Sequence, residues 1–170
     1  MYIIENDRIG LMQYTHEDDY DMYLCWQDMA TQKGYNYIFD VPFSEFQKTD
    51  IEQFRFWVVV VNKATNARVG VLRLGLDEEC PDLAIWIYPQ YRNNGYGKES
   101  FHLALEYIFA TFDYQEISAG CYTDNAYSLK MLSSLGFVRY PEGDQKEKHC
   151  FSDRETIQLS FKIRRDILKQ

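Results

Sequence analysis

Apolar positions recur with different periods along the chain, and each change of period marks an element. Ile9 to Tyr14 is rich in apolar residues and predicts a first strand. Thr15-x-x-Asp18 has the form of a capping box, and Tyr20, Tyr23 and Leu24 follow at helical spacing. Pro42 to Phe54 reads as a second, polar helix anchored by Phe43, Phe46 and Phe54. Phe56 to Val61 and Arg68 to Leu76 are β-rich runs split by the turn-type segment Asn62 to Ala67, which predicts a hairpin. Leu83 to Tyr88 is apolar on both faces and stops at Pro89, the pattern of a central buried strand. From Lys98 the period is helical, with Phe101, Ala104, Leu105, Ile108, Phe109 and Phe112 on one stripe. Ile117, Ala119 and Cys121 alternate as a strand; Asn125 to Leu135 is a helix with Leu129, Leu132 and Leu135 inward and Gly136 as its cap. At the end Ile157, Leu159, Phe161 and Ile163 alternate with Thr156, Gln158, Ser160 and Lys162, an antiparallel strand with one wet face. Strand, two helices, three strands, helix, strand, helix and strands predict a mixed α/β (α+β) domain on one sheet.

Length and composition narrow the picture. The 170 residues fit one domain over 1–170, long enough to bury a core of its own. Aromatic residues, 14 Tyr, 11 Phe and 3 Trp, suit a thick core or a pocket that grips something apolar. A net charge of −8 gives a field of the wrong sign for nucleic acid or an anionic membrane, and one that attracts a cationic substrate. Cys25, Cys80, Cys121 and Cys150, with His16, His102 and His149, have no metal-ligand spacing, so no metal is expected. The opening segment turns acidic at once, unlike a signal peptide, and the longest run of large apolar residues, Phe56 to Val61, is far below the roughly 18 that span a bilayer. A soluble, cytoplasmic protein, monomer or homodimer, is expected.

The chemistry-bearing stretch is Pro89-Gln-Tyr-Arg-Asn-Asn-Gly-Tyr-Gly-Lys98, between the most apolar strand and the firmest helix. Gly95 and Gly97 allow a tight turn with N–H groups outward, and a helix N-terminus adds free donors and partial positive charge, a cradle for phosphate. Arg92 and Glu99 stand where a P-loop needs Gly and Ser/Thr, and Ser100 where a dinucleotide fingerprint needs Gly.

Arg92-x-x-Gly95-x-Gly97 at this place resembles the acetyl-coenzyme A signature of the GNAT-type N-acetyltransferases. Asn125-x-x-Ser128-x-x-Met131-Leu132-x-x-Leu135-Gly136-Phe137 resembles that family's asparagine-led helix running into a strand. Pro81 to Ile87 is a looser match. The likeness covers about residues 7 to 163, and Ser128 is similar to the branch of the ribosomal-protein N-terminal acetyltransferases. It implies a sheet splayed at the coenzyme, with the pyrophosphate on Arg92, Asn93, Asn94, Gly95, Tyr96, Gly97 and Lys98, and pantetheine beside Ile87, Tyr88, Asn125 and Ser128. Acetyl transfer is then direct: a neutral amine attacks the thioester, backbone N–H groups hold the oxyanion, and coenzyme A thiolate leaves. The acceptor is a small-molecule or peptide amine, α-amine or polyamine included. The alternative is a coenzyme-binding sensor without turnover.

The family's usual catalytic groups are replaced. Leu132 stands where many members carry a tyrosine acid, and Gly120 where many carry a carboxylate. Asp82, Glu147 and Glu155 remain as bases or as solvated surface acids. Ser128 either donates to the leaving sulfur or bonds back to its own helix, and Asn125 either binds coenzyme or caps that helix. Trp26, Tyr35, Tyr37 and Phe39, with Asp28 and Asp40, make an aromatic, acidic acceptor pocket or else pack a helix, and Tyr122 is expected at the same site.

Overall fold

The computed structural model describes residues 1–168; the last two positions of the domain expected over 1–170 lie outside the described residues. The chain runs β1 (Ile4–Glu5), β2 (Ile9–Gln13), α1 (Asp19–Gln27), α2 (Met29–Tyr35), α3 (Phe43–Phe46), β3 (Trp57–Asn62), β4 (Ala67–Leu74), β5 (Leu83–Ile87), α4 (Tyr96–Thr111), β6 (Glu116–Tyr122), α5 (Ala126–Ser134), β7 (Val138–Arg139), β8 (Gln145–Lys148), β9 (Glu155–Arg164) and α6 (Arg165–Leu168). Strands β1 to β5 pair in chain order, all antiparallel. The second sheet has β9 between β6 and β7, with β8 also on β9. The two sheets share one core, and a parallel bridge from Asp82 to Ser118 joins their edges.

Alternation along β3 explains the layering. Val58 and Val60 share an apolar layer with Leu72, Leu74 and the Phe101–Leu105–Ile108 stripe of α4. Trp57, Val59 and Val61 lie in another layer with Val71, Trp86 and, from α1, Met22 and Cys25. Each fully buried valine contributes roughly 1.5–3 kcal/mol relative to an exposed one. Asp18 accepts from the Thr15 N–H at 2.9 Å, as the capping box requires.

Two expectations are corrected. The helix over Pro42 to Phe54 is confined to Phe43–Phe46. The Thr49 hydroxyl bonds to the Phe46 carbonyl at 2.8 Å, and Phe54 turns away to pack edge-on against Trp57. The apolar run at β5 is covered on both faces, as read, yet β5 is an edge and not a central strand. Its free edge forms the site.

Candidate active site

Hydrogen bonds from Gly75 N–H to Asp82 C=O (2.8 Å) and from Tyr88 N–H to Val69 C=O (3.0 Å) fix which β5 groups face β4. Leu83, Ile85 and Ile87 therefore direct their backbone groups to the other edge, toward β6. Beyond the Ser118 N–H to Pro81 C=O bond (3.0 Å) the two strands part, opening a cleft of about 720 Å³. The Tyr35 hydroxyl accepts from Ile85 N–H at 3.2 Å and donates to Ile85 C=O. Arg92 Nε donates to Ile87 C=O at 3.2 Å. Among the described residues, Ile87 N–H has no protein acceptor and stays available at the cleft edge.

The glycine turn closes one end. Asn93 has φ 62° and Gly95 φ 79°, a left-handed conformation that glycine adopts without a Cβ penalty. Among the described residues the amides of Asn93 through Lys98 meet no protein acceptor, and α4 begins without a side-chain cap. Six consecutive amides and a helix N-terminus fit the diphosphate of a coenzyme. Arg8 holds the outside of the turn, donating to Asn94 C=O and to the Glu99 carboxylate, both at 2.7 Å.

Of the expected residues, Trp26, Tyr35, Tyr37, Asp82, Ile87, Arg92, Asn93, Gly95, Tyr96, Gly97, Tyr122, Asn125 and Ser128 line the cleft. Tyr88 is buried beneath the α1 face instead, and the exposed Asn94 and Lys98 side chains point elsewhere. Glu155 is exposed opposite Lys148 and does not reach the site. Arg92 turns inward: Nη1 pairs with Asp28 at 2.9 Å and Nη2 donates to the Thr31 hydroxyl at 2.7 Å. That consumes Asp28, which also caps α2 through Thr31 N–H. Asp40 is exposed and outside the cleft. The acceptor wall is thus aromatic, with Trp26 stacked on Phe39 and Tyr35 on Trp86, but not acidic.

Burial pushes the Asp28 carboxyl up, but bonds from Arg92 and the Thr31 amide outweigh it and hold it below its ordinary value. Arg92→Ala is therefore expected to cost roughly 1–3 kcal/mol, a melting temperature lower by roughly 2–10 °C. A depressed carboxyl stabilises the fold above its unfolded pKa and ceases to as pH falls through its folded one. The wild-type advantage over Arg92→Ala in thermal melts is expected to shrink on acidification.

Tyr122, at the end of β6, donates to Glu147 Oε2 at 2.8 Å, and Asn36 Nδ2 reaches the same oxygen at 3.0 Å. Burial, then the Glu147 contact, raises the Tyr122 hydroxyl far above its ordinary value, so it stays protonated at neutral pH. Asn125 caps α5, accepting from Ser128 N–H at 3.1 Å. Among the described residues the Ser128 hydroxyl makes no bond to its own helix or to any other protein group. Leu132 lies buried in the cleft wall, and the space above Gly120 is taken by Gln158.

A family model for the GNAT acetyltransferase domain matches residues 4–138. The chain belongs to the GNAT acetyltransferases. No curated protein matches it. Among solved structures, spermidine N-acetyltransferase from Vibrio cholerae, in complex with CoA and spermine, superposes with a TM-score of 0.84 at 16% identity, covering 97% of this chain and 100% of that one. A GNAT-family acetyltransferase from Bacillus anthracis gives 0.77 at 18% identity, covering 98% and 99%.

For this acetyltransferase several cleft residues escaped the sequence reading. Gln158 is an ordinary wet-face position of β9. Tyr127 brings its hydroxyl to where a Cβ on Gly97 would sit, and one aromatic among 28 carries no signal. Asn36, which does not line the cleft but bonds Glu147 beside it, has a weak one: Asn tolerates the left-handed φ of 49° that ends α2. Arg73 has the clearest, a charge in phase with Val71 within the apolar run Val69 to Leu74 of β4.

Proposed function

We propose that the chain moves an acetyl group from acetyl-coenzyme A to a primary amine of a small molecule or peptide, by direct attack in a ternary complex. The observation that carries this reading is the cleft between the unpaired edges of β5 and β6, with free amides at one end and aromatic rings at the other. The coenzyme supplies an acetyl thioester. The amides of Asn93 to Lys98 bind its diphosphate, and Ile87 N–H stands ready for the developing oxyanion. Glu147, through Tyr122, takes the proton from the amine. Asp82 lies in the cleft wall and, in this reading, is not the base. Ser128 donates its hydroxyl to the departing sulfur; by this residue the chain sides with the ribosomal-protein N-terminal acetyltransferase branch.

Thiol release with an amine panel, followed by mass spectrometry of products, tests the reading. Amine-dependent release with an acetyl adduct on the acceptor is the expected result. Coenzyme binding with no amine-dependent release would instead make the protein a sensor. One hydrogen bond to a charged partner contributes roughly 1.5–3 kcal/mol, so Ser128→Ala is expected to slow turnover roughly ten- to hundredfold at saturating acetyl-coenzyme A. A normal rate with chemistry limiting removes serine from the mechanism, and an unchanged melting temperature separates catalysis from folding.

A further inference from the structure

Arg73 is a cation on an apolar face. It lies opposite Trp57 on one side and Ala84 on the other, in the layer that packs against α1 and α2. Its guanidinium sits 4.7 Å from the ring centre of Phe54, 5.3 Å from Trp57 and 5.5 Å from Trp86, and it borders the cleft. Among the described residues none of its N–H groups finds a protein acceptor. Asp82, whose charge reaches it, is turned over Gly75 and makes no ion pair with it. Burial pulls the guanidinium's pKa down and the Asp82 charge opposes this. The guanidinium is thus a half-buried cation among three rings, bordering the cleft with its donors unspent.

A guanidinium facing a cleft with no protein partner is open to a ligand, and it is shaped to grip an oxyanion with two parallel bonds. We propose that the acceptor is an amino acid-type compound, a primary amine tethered to a carboxylate, and that Arg73 in its aromatic cage holds the carboxylate. The proposal rests on the acetyl-transfer reading for the amine. A polycation such as the spermine in the Vibrio cholerae structure would meet Arg73 as a like charge. Ile87 lies opposite Gly70, three residues along β4 from Arg73, or about 10 Å at the usual strand rise. The arginine side chain spans part of that distance, so a short tether suffices.

The test measures kcat/KM for glycine, β-alanine, 4-aminobutyrate, 6-aminohexanoate and L-phenylalanine, each beside its own carboxamide, with spermidine for comparison. Gly-Asp-amide and Gly-Asn-amide place the same acid, or its amide, on a peptide and so separate a peptide source from a free amino acid. At least one acid is expected to exceed its amide and spermidine tenfold or more. Arg73→Met is expected to bring that ratio to about one, and Arg73→Lys to keep part of it. Amides that match their acids in the wild-type protein overturn the proposal whether or not the variants fold, and so does a ratio that survives in Arg73→Met. Failure of acetyl transfer itself shows differently, as no thiol release with any amine. Binding is then read from the quenching of tryptophan fluorescence by the same pairs. A stronger response to the acids, lost in Arg73→Met, supports the anion site; an equal or absent response overturns it.

Discussion

Gly95→Val and Gly97→Val are each expected to lower affinity for coenzyme A by at least about 100-fold, more than any side-chain deletion at the turn. Two causes act together at Gly95. A β-branched residue at φ 79° is strained by roughly 1–3 kcal/mol, and relief of that strain rotates the neighbouring amides out of line. Each charge-assisted bond so lost costs roughly 1.5–3 kcal/mol, and two of them exceed the 2.8 kcal/mol or so of a 100-fold change. Gly97 acts by obstruction. A Cβ there would come within 2.8 Å of the Tyr127 hydroxyl, the far end of a side chain free to swing. Gly97→Ala is therefore expected to be milder than valine, which extends further into the cradle. Calorimetric titration with coenzyme A, beside circular dichroism to confirm folding, checks both. Wild-type affinity in a folded valine variant removes the amide cradle.

How legible the molecule was depends on how local each cause is. The α4 stripe, the β3–β4 hairpin and the cap at Gly136 (φ 92°) are written in neighbouring residues, and all three stand as read. The glycine turn was legible for the same reason, since its geometry needs particular residues in a row. The edge position of β5 was not: Leu83 to Tyr88 is covered on both faces, and composition records covered faces without saying whether an edge is paired. The helix at Phe43–Phe46 is shorter than the pattern predicts because aromatic anchors at Phe46 and Phe54 fit a helix or a loop folded over Trp57 equally well. The motif around Arg92 predicts a coenzyme contact, and the structure spends its side chain on joining α2 to the β5 edge through Asp28, Thr31 and Ile87, a set of partners up to 64 residues away. Side-chain destinations of that kind are fixed by the tertiary fold.

The same dependence on long-range contacts separates the three carboxylates that the sequence leaves equivalent. Glu155 is exposed outside the cleft, and Asp82 lies over Gly75 at the end where the sheets still touch. Glu147 alone of the three is joined to a cleft-lining hydroxyl, Tyr122, which stays protonated and so can pass a proton on to the carboxylate while receiving one from the amine. Glu147→Gln keeps the size of the side chain and removes its charge. It is expected to lower kcat roughly 100-fold or more, the usual range for a positioned base, with coenzyme affinity unchanged. Tyr122→Phe breaks the same path, so the double variant is expected to be little slower than either single one, because groups acting as a unit do not add. Raising the pH is expected to restore part of the lost rate, since solvent then supplies the neutral amine; a lysine-type amine, with an ordinary pKa of about 10.4, needs this more than an α-amine near 7.7–8.0. Glu155→Gln is expected to keep the wild-type rate. A pH–rate profile of kcat/KM for the three single variants and the double decides the matter: parallel profiles of wild type and Glu147→Gln, or fully additive losses, would leave Glu147 a tie between β8, Tyr122 and Asn36 and return the proton to water.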